Sequence, residues 1–265
     1  MEWLIAVIAI VVGLPAAAWF AQDGLIFHPR PLAIEPRMPA ATVPIEIVAD
    51  DGVRLRGWLR PAASVPAPAV LYFGGNAEEV SGTLADPRWP SDRTIVAVNY
   101  RGYGSSEGKP SERVLVADAL RIHAEMRHRP EVDAGCMFVF GRSLGSGVAV
   151  SLAAARPVCG VVLVSPFDSL VELGRHHFRW LPVSLLLRHR FELLGDASRL
   201  TMPLLSIVAQ HDTIIPHARS AALHEAWGGP KTWVEIPGTD HNTLAVPDLF
   251  WQRIGEFLSD PALPR

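Results

Sequence analysis

The sequence predicts an α/β protein: a mostly parallel, doubly wound sheet, preceded by an N-terminal transmembrane helix and interrupted by a small helical insertion. Three observations lead there. Short apolar runs alternate with helical candidates along most of the chain, the pattern of strands buried on both faces and covered by crossover helices. A Gly-x-Ser-x-Gly pentapeptide lies near the middle, between one such run and a helix of small residues. At the amino end, 19 residues from Trp3 to Ala21 carry no charge. The length of 265 residues suits one α/β domain with an appendage, which buries enough surface to fold without disulfides or a structural metal.

The apolar run, as a helix rising ~1.5 Å per residue, just crosses a ~30 Å hydrocarbon layer. Trp3 and Trp19 near its ends suit the two interfaces. Ala16, Ala17 and Ala18 would also serve a signal-peptide cleavage site, but no Lys or Arg precedes the run and the first is Arg30. A retained anchor over residues 1–22 is therefore expected rather than a cleaved leader. A buried core helix is the third reading, disfavoured by the flanking aromatics and by the complete domain that follows. Arg30 and Arg37 come after the run, which places that domain on the cytoplasmic side by the positive-inside bias. Residues 23–42 read as an extended connector, with Pro29, Pro31, Pro36 and Pro39 stiffening it.

The domain itself spans residues 43–265. Val43 to Ala49 and Val53 to Arg60 alternate apolar and polar residues around Asp50, Asp51 and Gly52, which predicts an antiparallel hairpin. Buried strands are expected at Ala69 to Phe73, Thr94 to Asn99, Cys136 to Phe140, Gly160 to Val164, Leu204 to Val208 and Thr232 to Ile236. Helices are expected from Ser111, a cap, to about His128, and over Ser143 to Ala155, Arg219 to Trp227 and Asp248 to Leu258. Residues 166–199 show no strand signal and read as a partly helical insertion lying over one end of the sheet. Phe178, Trp180 and Leu185 to Leu187 give it more apolar surface than a connector needs. They either fill the groove beneath it or line an acyl-binding site, while Arg175, Arg179, Arg188 and Arg190 suit anionic headgroups.

Composition narrows the function. Charged residues make up 19% and hydrophobic residues 49%, with a net charge of −3, which excludes a disordered chain and gives no footprint for nucleic acid. A small-molecule or lipid-like partner is left. Cys136 and Cys159 lie in strand-like apolar runs and read as packing residues rather than as a disulfide or zinc ligands. No metal site is expected, since no His-Glu-x-x-His occurs and His176-His177 is isolated. The loop Tyr100 to Gly108 lacks the lysine of a phosphate-binding loop and opens no dinucleotide-binding helix, so no cofactor is expected; it reads as a tight turn.

The chemistry concentrates at Gly141-Arg142-Ser143-Leu144-Gly145. A serine at a strand-to-helix turn projects its oxygen, the glycines permit close backbone approach, and the following N–H groups face developing oxyanion charge. Such a serine needs a base and the base an orienting acid. Asp212 follows the strand ending at Val208 and His241 follows the strand ending at Ile236, so both fall beyond carboxyl ends of strands, where ligand chemistry collects in α/β sheets. Asp168 is a rival acid, and His211 and His217 are rival bases; position in the strand order favours Asp212 and His241. Gly74-Gly75-Asn76 after the run ending at Phe73 offers a second oxyanion donor, the main-chain N–H of Asn76, beside that of Leu144.

Taken together, the Gly-Gly-Asn-Ala loop from Gly74, the Tyr-Arg-Gly-Tyr-Gly stretch from Tyr100, the Ser143 elbow and the Asp212 and His241 loops resemble the α/β-hydrolase superfamily. Within it they resemble the branch of membrane-anchored serine hydrolases related to depalmitoylases and serine-peptidase-like hydrolases. The resemblance runs from about Ile45 to Leu258, and where many relatives carry histidine this chain has Gly74. It implies an α/β-hydrolase fold with Ser143 as nucleophile, Asp212 as acid, His241 as base and Asn76 and Leu144 as oxyanion donors. The expected activity is hydrolysis of an acyl ester or thioester through an acyl-enzyme. A peptidase with the same triad and a non-catalytic membrane scaffold of this fold are the alternatives.

Overall fold

The structure, a computed structural model, describes residue 3 and residues 13–261. Eight strands, β1 (Val43–Val48), β2 (Arg54–Arg60), β3 (Ala67–Phe73), β4 (Thr94–Val98), β5 (Val132–Arg142), β6 (Gly160–Val164), β7 (Leu204–Ala209) and β8 (Lys231–Ile236), form one sheet in the order β1-β2-β4-β3-β5-β6-β7-β8. The β1–β2 hairpin and the β2–β4 pairing are antiparallel. From β4 through β3 to β8 every pairing is parallel. The hairpin turns at Gly52, whose φ of +83° favours glycine. In β1 only Ile45 and Ile47 are buried, the alternation of an edge strand with one solvated face, whereas β4, β6 and β7 are buried throughout.

Successive residues of the central strands feed opposite cores. Leu71, Val139 and Val161 pack into one, and Val70, Phe138 and Val162 into the other. Helices cover both: α2 (Ser81–Leu84), α3 (Glu112–Met126), α4 (Leu144–Ala155), α8 (His217–Ala226) and α9 (Asp248–Leu258). Ser111 caps α3, its hydroxyl accepting the Val114 N–H at 3.4 Å. The insertion between Pro166 and Arg199 contains α5 (Leu170–His177), α6 (Val183–Leu186) and α7 (Leu194–Ala197) and no strand. Ser169 caps α5 by accepting from the N–H groups of Val171 and Glu172.

Three expectations need correction. Cys136 and Cys159 are joined as a disulfide. The sequence hides this because pairing depends on which strands are neighbours: β5 and β6 are adjacent, and the Cys159 N–H donates to Met137 O at 2.8 Å, bringing the two Cα atoms to 5.5 Å. β5 begins at Val132, earlier than the apolar run, because its first residue pairs with Ala67. The N-terminal helix α1 (Leu14–Ile26) continues past residue 22, so the extended connector begins only at Phe27, which is itself buried. Beyond it the connector lies along the domain, Gly104 N–H donating to Arg30 O at 2.7 Å. No helix among the described residues is long and apolar enough to cross a membrane. Much of the predicted anchor, residues 1, 2 and 4–12, lies outside the described residues.

Candidate active site

Because β3, β5, β6, β7 and β8 run parallel, the loops that leave their carboxyl ends meet at one edge of the sheet. β5 ends in the serine turn. Ser143 has φ +49° and ψ −116°, a strained conformation for a residue with a side chain. Its N–H donates to Val164 O at 2.8 Å, and its carbonyl accepts from both the N–H and the hydroxyl of Ser146, at 2.9 and 2.6 Å. The turn is possible only with glycine on both sides. A Cβ on Gly141 would lie 2.4 Å from Gly145 O, and one on Gly145 would lie 2.1 Å from Phe73 O.

The structure brings Ser143, His241 and Asp212 into one hydrogen-bonded chain. His241 Nε2 is 3.1 Å from Ser143 Oγ, and His241 Nδ1 is 2.8 Å from Asp212 Oδ2. Asp212 Oδ1 accepts from the N–H groups of Ile214 and Ile215 at 3.0 and 2.8 Å, and Oδ2 also accepts the Ser165 hydroxyl at 2.8 Å. Burial acts to raise this carboxyl, but the hydrogen bonds from His241 and the Ile215 N–H outweigh it and hold it below the usual carboxylate value. A carboxylate kept ionised there accepts a hydrogen bond from an Nδ1–H, the tautomer that would leave Nε2 as an acceptor facing Ser143 Oγ.

The rivals face elsewhere. Asp168 Oδ2 accepts from Arg219 at 3.0 Å, and burial raises its carboxyl in spite of that cation. The His211 N–H donates to Thr239 O at 2.9 Å and so ties the Asp212 loop to the His241 loop. His217 Nε2 lies 2.7 Å from Ala209 O.

Asn76 and Leu144 line the same cavity as Ser143. Neither main-chain N–H donates to a protein acceptor among the described residues, and that of Leu144 stands at the positive end of α4. The Asn76 side chain is held at both ends: Nδ2 donates to Ile26 O at 2.6 Å, and Oδ1 accepts from Tyr103 Oη at 2.8 Å and the N–H groups of His28 and Ala77 at 2.9 and 3.0 Å. Tyr100 Oη donates to Gly74 O at 2.9 Å. The Tyr100 to Gly108 stretch, expected only to make a turn, thus props the loop carrying Asn76.

Two further supports escaped the sequence analysis. Glu78 accepts from Tyr72 Oη and the Gly75 N–H at 2.6 and 2.7 Å and from Arg142 at 3.3 Å, and Arg142 in turn reaches His241 O at 3.4 Å. Arg142, the first of the two unspecified positions of the pentapeptide, therefore links the Asn76 loop to the histidine loop. Ser165, directly after β6 with φ +45°, aims its hydroxyl at Asp212. Its place at the end of an apolar run was the available signal.

Ser143 opens on a cavity of about 350 Å³ with a mostly apolar lining. The insertion supplies one side, through Leu170, Leu173, Phe178, Leu181 and Leu186, and α1 supplies another. Among the described residues, no three His, Cys, Asp or Glu side chains are grouped as a metal ion would require.

No protein-family model matches the chain. It is 34% identical over 268 residues to the uncharacterized protein Rv2307c of Mycobacterium tuberculosis H37Rv, covering 98% of this chain and 95% of that one. It is 26% identical over 212 residues to the lysophosphatidylserine lipase ABHD12 of Danio rerio, covering 69% of this chain and 53% of the relative. Among solved structures, the alpha/beta hydrolase GrgF from Penicillium sp. sh18 superposes with a TM-score of 0.68 at 18% identity, over 82% of this chain and 97% of that one.

Proposed function

This chain belongs to the α/β-hydrolase superfamily, and on that premise we propose that it is a membrane-tethered serine hydrolase cleaving acyl esters or thioesters through an acyl-enzyme. The observation that carries the reading is the chain Asp212–His241–Ser143 at a strained turn beside an apolar cavity.

Each step uses atoms already in place. His241 Nε2 takes the Ser143 proton as Oγ bonds to the substrate carbonyl carbon, and the carbonyl π electrons move to oxygen. The N–H groups of Asn76 and Leu144 receive that oxyanion, and Asp212 stabilises the imidazolium. Collapse expels the alcohol or thiol, which carries off the His241 proton. Water, deprotonated by His241, then attacks the acyl carbon and Ser143 leaves with the proton. The apolar cavity favours an acyl chain over a polar peptide, and the lipase among the relatives acts on a lipid ester.

Tethering rests on the uncharged run from Trp3 to Ala21, with the domain on the cytoplasmic side by its arginine bias. Exposed Phe20, Leu25, Phe178, Trp180 and Leu185, on α1 and the insertion that wall the cavity, suit an apolar surface.

The test is labelling with a fluorophosphonate. Wild type should be modified at Ser143, and Ser143→Ala should lose the label while keeping the wild-type melting temperature. Equal labelling of the variant would move the nucleophile elsewhere.

A further inference from the structure

A tether needs only to reach the membrane, yet α1 is fastened to the site at both sides. Toward the insertion, Gln22, only 5% exposed, donates from Nε2 to Leu186 O at 3.2 Å and accepts the Arg188 N–H at Oε1 at 2.7 Å. One residue along, Asp23 Oδ1 pairs with Arg188 at 2.7 Å and His189 Nε2 at 2.8 Å, and the Arg188 guanidinium lies 5.4 Å from the Trp19 ring centre. Toward the sheet, the last carbonyl of α1, Ile26 O, accepts from Asn76, the residue beside Ser143. A polar side chain buried with both ends satisfied fixes a position rather than merely covering surface.

Between these fastenings α1 presents Ala18, Gln22, Leu25 and Ile26 to the cavity that contains Ser143. The spacing i, i+4, i+7, i+8 is one helical face. We propose that this face of α1 is part of the acyl-binding site and sets the chain length that the enzyme accepts, so that the N-terminal helix is a specificity element as well as a tether. The proposal rests on the serine-hydrolase reading given above and names its ligand: a single acyl chain laid between α1 and the insertion. A cavity near 350 Å³ is at the small end of ligand sites, which run from ~300 to ~1,000 Å³, and suits one chain rather than two.

Side-chain volume on the α1 face should therefore move the chain-length optimum in either direction. Ala18→Phe fills the cavity and Ile26→Ala enlarges it, while Ala16→Phe, about 200° round the helix on an exposed position, is the control. The full-length protein is assayed with p-nitrophenyl esters from acetate to palmitate, and each variant is checked for fluorophosphonate labelling. Ala18→Phe should lower the ratio of long-chain to acetate kcat/KM by about tenfold, as for roughly two lost CH₂ contacts. Ile26→Ala should move the optimum to longer esters, and Ala16→Phe should leave the profile as in wild type. Loss of fold alone cannot produce shifts of opposite sign. Labelled variants that all keep the wild-type profile would overturn the proposal and leave the hydrolase reading standing. A wild type that does not label would instead remove that reading.

Discussion

Asp212 and Asp168 both follow parallel strands and both are shielded from solvent, yet they meet different partners: Asp212 takes His241 and the N–H groups of Ile214 and Ile215, Asp168 takes Arg219 and the Ser169 N–H. Asp212→Asn should therefore lower kcat on the order of 10³–10⁴-fold by leaving His241 in the wrong tautomer, whereas Asp168→Asn should change it only a few-fold; ester turnover by the two purified variants ranks them. Their pH signatures differ in sign as well. The folded-state value of Asp212 is lowered from 3.8, so its contribution to stability is complete above that value and is lost as pH falls through the folded one. That of Asp168 is raised, so its ionisation costs stability, and the cost is relieved as pH falls. Melting curves from pH 6 down to pH 3 should show the gap between wild type and Asp212→Asn narrowing with acid, and a gap that widened would contradict the charge state assigned here. The residues that sequence made visible, Ser143, Asp212 and His241, each sit in the segment that leaves the carboxyl end of a strand. Gln22 was invisible because its partners lie 164 and 166 residues away, and Glu78 because its role depends on how β3 and β5 place their loops.

Helix α4 can approach β3 only because Gly145 lacks a side chain. Gly145→Ala would set a Cβ 2.1 Å from Phe73 O, so the helix must lift and carry Leu144 with it. The expected outcome is a lower melting temperature together with loss of fluorophosphonate labelling. Gly255→Ala in α9 is the contrast, since a Cβ there meets nothing within 4 Å. It should stabilise by about 1 kcal/mol through helix propensity, and denaturant titration of both variants checks the pair. The inner parallel strands were legible because strands buried on both faces become unbroken apolar runs, and the β1–β2 hairpin because its faces alternate; β8, expected to be buried, is an edge strand in which only Ile236 is buried. Two features were set by neighbours rather than by pattern. The early start of β5 depends on Ala67 opposite Val132, and the Cys136–Cys159 bond on the adjacency of β5 and β6.

At the scale of the whole molecule, the apolar N-terminal run and the apolar cavity meet in α1, so the proposed attachment and the proposed substrate selection can be tested separately by where the chain is cut. A protein beginning at Gly13 keeps α1 whole but retains only the nine residues 13–21 of the uncharged run, well short of the ~20 needed to span a bilayer. It should be released by carbonate washing that leaves the full chain in the membrane fraction, and should keep the ester chain-length profile. A protein beginning at His28 should lose the profile as well, because the wall that holds Ala18 to Ile26 is gone. On the opposite wall Leu186 faces the same cavity. If kcat/KM rises by about fourfold per CH₂, the equivalent of ~0.8 kcal/mol for each methylene taken from water, a charge placed there should flatten the rise. The measurement is kcat/KM from acetate to decanoate for wild type and Leu186→Asp. A wild-type preference for acetate, unmoved by Leu186→Asp, would mean that acyl chains do not enter the cavity, whatever Ser143 does to the ester bond.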